Sequence, residues 1–149
     1  MWNDQKSLML SKICVAFFMA LLLIGAILAP RLVSTLVRMS MQASLVGRVL
    51  FLCTIYAGCV PAAALLIFLY LLLNRIGAGQ VFVRENTSYL RYIAWCCFAG
   101  AAISLASALY YLPWLAIGVA AAFMGLIVRV VKNVVAKAVS LQDDADYTI

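Results

Sequence analysis

The chain has 149 residues, 68% of them hydrophobic and 11% charged, with a formal net charge of +6 and a mean hydropathy of +1.12. A soluble domain averages about 45–50% apolar and about 25% charged residues, so this composition excludes an ordinary soluble domain and leaves room for one membrane-embedded domain. The eleven basic residues fall between apolar runs and not on one soluble face, which reads as a membrane-topology signal and argues against direct nucleic-acid binding.

In chain order, Lys6 and Lys12 precede an apolar stretch over 13–30. A cleaved secretory signal would have a shorter core, and the best small-residue site, Ala29, is followed by Pro30, a poor position for cleavage. The stretch therefore reads as a retained first helix. Over 31–48, Arg31, Ser34, Thr35, Arg38 and Gln42 share one face of a helical wheel. Leu32, Val33, Leu36, Val37, Met39 and Ala43 share the other. This amphipathic segment either extends the first helix past Pro30 or lies at the outer interface, as a structural cap or a lid. A second helix covers about 49–73, with Pro61 after Gly58 as a kink point. Gly77-Ala78-Gly79 is a flexible turn, and Glu85-Asn86-Thr87-Ser88 offers capping side chains for the next helix, with Asn86 reading as the cap.

From Ile93 to Val128 there are 36 residues without Asp, Glu, Lys or Arg. As one helix this run would be about 54 Å long, against a hydrocarbon core of about 30 Å. It is too long for one crossing and suits two. Tyr110-Tyr111-Leu112-Pro113-Trp114 lies in its middle, where proline withholds a helical donor and aromatics favour the interface. The run is a transmembrane hairpin of helices at about 93–111 and 113–131. Beyond Val128, Arg129, Lys132, Asn133, Ala136, Lys137 and Ser140 form one arc, opposite Val130, Val131, Val134, Val135, Ala138, Val139 and Leu141. The fourth helix is expected to leave the membrane as an amphipathic helix to about 141, followed by Asp143, Asp144 and Asp146. The expected fold is all-α: a single domain over 1–149, an integral membrane bundle of four transmembrane helices with amphipathic extensions.

With four crossings, the N-terminal tail, the second connection and the C-terminal tail share a side. That side carries Lys6, Lys12, Arg75, Arg84, Arg91, Arg129, Lys132 and Lys137; the other carries Arg31, Arg38 and Arg48. The excess places both termini in the cytoplasm, in a multi-pass protein of the cell membrane.

The apolar segments contain no Asp, Glu, Lys, Arg or His, which weighs against ion-coupled transport and proton relays. Ser104 and Ser107 have no base beside them, so no catalytic residue is assigned and an enzyme is not expected. The chain has no His, and its five cysteines (Cys14, Cys53, Cys59, Cys96, Cys97) lie in apolar runs without a zinc-like spacing. No metal and no cofactor is expected. Small residues recur at helical spacing in Gly25/Ala29, Gly100/Ser104, Gly118/Ala122 and Ala121/Gly125, each pair allowing close helix approach.

Two segments carry a resemblance. One is Gly79-Gln80-Val81-Phe82-Val83-Arg84-Glu85-Asn86 with Leu90-Arg91; the other is the ending from Ala138 through Leu141-Gln142-Asp143-Asp144-Ala145-Asp146-Tyr147-Thr148-Ile149. They resemble the bacterial four-helix membrane proteins filed as domain of unknown function 2975, which share the phenylalanine, the asparagine, the Leu-Arg and the acidic ending. Asp143 and Asp144 stand where glutamates are more usual. The resemblance implies a four-helix protein of the bacterial inner membrane without an established activity. It also implies, by analogy alone, a regulatory partnership with a helix-turn-helix transcription regulator, since members are often encoded beside such proteins.

The function expected from this reading is a membrane-embedded sensor or regulatory scaffold that binds a cytoplasmic protein. Phe82, Asn86, Arg91, Arg129, Lys132, Lys137, Asp143, Asp144 and Asp146 are its candidate partner-binding residues. The acidic end would either close onto the basic stripe or be displaced by a partner. The alternatives are a small transporter or channel-like subunit, in which the chain would form a homo-oligomer, and an accessory subunit stabilising a larger membrane complex.

Overall fold

A computed structural model describes residues 3–39 and 45–148. They form four α-helices, α1 (Asp4–Met39), α2 (Leu45–Gly77), α3 (Arg84–Ser107) and α4 (Trp114–Tyr147), with no strand among the described residues. All four are long and apolar enough to cross a membrane. With 24 residues, α3 is about 36 Å long and nearly matches the hydrocarbon core; the 36 residues of α1 and 34 of α4 give about 54 and 51 Å, so both project into water. Residues 31–39 continue α1 past Pro30 without a break in the helix, while Gln42 and Ala43 of the same amphipathic stretch lie outside the described residues. At the other end, α4 continues past Leu141 to Tyr147, so the acidic residues belong to the helix.

The helices pack in chain order. α1 rests on α2, α2 on α3 and α3 on α4, and α2 meets α4 among the described residues through the rings of Phe51 and Trp114. α3 buries the most: Ile93, Ala94, Cys97, Ala101, Ser104 and Ser107 all turn inward, whereas α2, between α1 and α3, buries only Thr54 and Leu72. α1 buries Val15, Ala29 and Val33. Across the apolar windows of α1, α2 and α4, just 11%, 6% and 11% of residues are buried by protein, so lipid is the solvent for most of their surface. The small residues are not equivalent. A Cβ on Gly118 would stand 2.8 Å from Leu105, and one on Gly125 would stand 2.9 Å from Phe98 and 3.2 Å from Cys97. These two glycines, seven residues and so about two turns apart, let α4 press against α3. Gly25 and Gly100 have nothing within 4 Å of such a carbon and make no close approach.

Two hydrogen-bonded links tie neighbouring helices inside the apolar region. Pro30 has no N–H, so the carbonyl of Ala26 lacks its usual donor four residues on. The Tyr56 hydroxyl of α2 donates to that carbonyl at 3.1 Å, which removes a bare acceptor from lipid. Further along, Ser107 Oγ donates to the carbonyl of Ile103 at 2.8 Å. With its proton so used, it accepts from Thr54 Oγ1 at 2.8 Å, and Thr54 Oγ1 is hydrogen-bonded at 2.6 Å to the Tyr110 hydroxyl, which also lies 3.3 Å from the Leu50 carbonyl. The ring of Phe51 sits among Tyr110, Tyr111 and Trp114, with centroids 5.4, 4.9 and 6.2 Å away. This aromatic group closes the α3–α4 turn against α2 at the interface depth that such residues favour.

Candidate functional site at the polar end of the helix row

The end of α2 is a Schellman cap. Gly79, at φ +82°, donates its N–H to the Ile76 carbonyl, and Gln80 donates to Arg75. Glycine is favoured there because an L side chain is strained in this left-handed conformation. The next four residues are fixed from α3. Asn86 is 2% exposed, and its Nδ2 donates to the carbonyls of Gln80 at 2.6 Å and Val81 at 2.8 Å. Asn86 is therefore not the cap of α3. Val83 occupies that position without any side-chain bond, and Asn86, three residues further on, holds the connecting loop down. Its burial also removes Asn86 from the side chains that an incoming protein would touch. From α2, the guanidinium of Arg75 lies 5.4 Å above the Tyr89 ring and 3.9 Å from Glu85.

Across α3 lies the end of α4. Arg84 and Asp143 form an ion pair at 3.4 Å, joining the segment that opens α3 to the acidic ending 59 residues later. Asp143 thus pairs outside its own helix, and the acidic end does not close onto the basic stripe. The reason is geometric. α4 is continuous from Trp114 to Tyr147, so Lys137 and Asp143 are held about 9 Å apart along the axis and on different faces. Between α3 and α4 is an open groove of about 820 Å³, with Arg84, Thr87, Ser88 and Arg91 on one wall and Asp143 and Asp144 on the other.

Of the remaining candidates, Arg91, Arg129, Lys137, Asp144 and Asp146 are exposed and Lys132 is half-buried, while Phe82 is 53% exposed beside the clamped loop. The fold brings Arg91, Asp143 and Asp144 to one groove and leaves Phe82 outside it. Sequence reasoning missed Arg84, Thr87 and Ser88 as site residues. A signal was present for Arg84: it precedes Arg91 by seven residues, about two helical turns, so the two share a face once the helix starts at Arg84.

A family model for proteins of unknown function (DUF2975) matches residues 41–149. The chain belongs to this family. The DUF2975 match takes in α2, α3 and α4 with both polar segments and leaves α1 outside it. No curated protein and no solved structure matches the chain.

Proposed function

We propose that this DUF2975 protein is a membrane-embedded regulatory scaffold or sensor whose polar end faces the cytoplasm and docks a protein there, a helix-turn-helix regulator being the partner class that the family analogy suggests. One observation carries the reading. The Arg84–Asp143 pair unites two segments far apart in the chain into one exposed polar surface, at the end of a molecule whose apolar windows carry no comparable chemistry. A partner would meet Phe82, Arg129, Lys132, Lys137 and Asp146 around that surface. Exposed ion pairs contribute only about 0–1 kcal/mol each, so charge here serves recognition more than folding.

Detergent-solubilised pull-down with mass spectrometry tests this. A stoichiometric soluble protein should be retained by the native chain and lost on charge reversal of Lys132 and Lys137, with insertion and helicity intact. Retention of the same protein by the reversed variant would remove the basic stripe from the mechanism. The open row favours a second reading, an accessory subunit of a larger membrane complex, because α1 and α4 each have a side without a helix neighbour. Capture of an integral membrane complex in place of a soluble protein would favour it.

A further inference from the structure

The groove between α3 and α4 has a charge arrangement that a purely anionic ligand would not match. Arg84 and Asp143 neutralise each other at 3.4 Å. That leaves Arg91 and Asp144 on the groove walls, one cation and one anion, neither side chain having an ion pair or hydrogen bond among the described residues. The two are ordered relative to the membrane. α3 runs inward, so Arg91 is its last charged residue before the charge-free stretch; the adjacent Tyr92 and nearby Trp95 are 50% and 66% exposed, as in an aromatic belt. α4 runs outward, so Asp144 lies towards water, near the helix end at Tyr147. Positive charge is at headgroup depth and negative charge beyond it.

We propose that this groove binds the headgroup of phosphatidylethanolamine, the phosphate against Arg91 with the Thr87 and Ser88 hydroxyls, and the ammonium against Asp144. The covalent order of that lipid, with phosphate next to the glycerol and amine at the tip, follows the order of charges in the groove. A guanidinium and two hydroxyls supply donors for phosphate oxygens. A carboxylate accepts hydrogen bonds from a primary ammonium but none from a choline, which has no N–H. Choline is instead held by several aromatic faces, and Tyr147 is the groove's one aromatic residue. This site goes beyond the partner-docking reading and does not rest on it; Lys137, Asp146 and Phe82 lie outside the groove walls.

The test is competitive lipid binding to the purified full-length protein. Phosphatidylethanolamine, phosphatidylcholine and phosphatidylglycerol with identical acyl chains are offered in equal amounts and bound lipid is counted by native mass spectrometry. The ethanolamine lipid should be enriched about tenfold over each of the others, the scale of one charge-assisted hydrogen-bonded contact. Asp144→Asn, near an exposed helix end, should bring it down to the level of the choline lipid. Arg91→Ala should lower both phosphocholine and phosphoethanolamine lipids, while Lys137→Ala should leave the selectivity unchanged. Preference for phosphatidylglycerol, an unchanged ethanolamine-to-choline ratio in Asp144→Asn, or an equal loss in Lys137→Ala would overturn the proposal. Water-soluble glycerophosphoethanolamine serves as the other arm. Displacement of the lipid only at a large excess supports a lipid site, and displacement at equal concentration would overturn it in favour of a free solute.

Discussion

Two side chains hold backbone carbonyls that would otherwise be bare, and each makes a specific forecast. Tyr56→Phe should destabilise the α1–α2 contact by about 0.6–1.7 kcal/mol, the range for hydrogen bonds between membrane helices. In a Pro30→Ala background the same change should cost less, because the substituted alanine supplies the backbone N–H that the Ala26 carbonyl lacks; a double-mutant cycle of unfolding free energies reads this coupling. Asn86→Ala leaves the carbonyls of Gln80 and Val81 without their donors and should cost about 1–3 kcal/mol. Limited proteolysis over 78–83 should show the loop opening before any helix melts. Neither role was legible in the sequence. Asn86 could be placed near a helix start from its neighbours, but clamp and cap differ only in where the preceding five residues fold. Tyr56 meets Ala26 across a helix interface that no local pattern specifies.

At the level of the elements, the hairpin of α3 and α4 was legible because a charge-free run too long for one crossing has few other solutions. The projecting ends were less so. Charges mark where a chain meets water and not where its helix stops, so α1 and α4 exceed the apolar windows that announced them. Small-residue spacing identified glycines without separating those at a contact from those facing lipid. The structure separates them, and the difference is measurable. Gly118→Ala places a carbon 2.8 Å from the Leu105 side chain and 3.2 Å from its backbone nitrogen, so it should weaken α3–α4 packing by about 1–3 kcal/mol. Gly100→Ala meets nothing within 4 Å and should be neutral or slightly stabilising in the same denaturation assay.

For the whole molecule, the excess of basic residues on the end that holds both termini leads to an expected topology. A reporter active only outside the cytoplasm should be silent when fused after Ile149 and active when inserted near Gln42; the reverse pattern would invert the proposed orientation and move the docking surface to the other compartment. Replacing both Cys53 and Cys59 with Ala should leave protein level and partner binding unchanged. The two are six residues apart on α2, about 9 Å along its axis and on different faces, so they cannot form a disulfide while the helix persists.

The packing of each helix on the one before it, from α1 to α4, has a consequence for how the protein comes into being. Each helix from α2 onward packs on its predecessor, so its main contact surface is already made when it enters the bilayer. Loop closure is short at each step, so its entropic cost is small and is met one connection at a time. Assembly can therefore keep pace with the ribosome, and a disturbance in α1 reaches α4 only by passing through α2. Co-expressed fragments 1–42 and 43–149 should accordingly yield a second piece whose α3–α4 interface forms with or without the first. Crosslinking between cysteines introduced at Leu105 and Gly118 would report it.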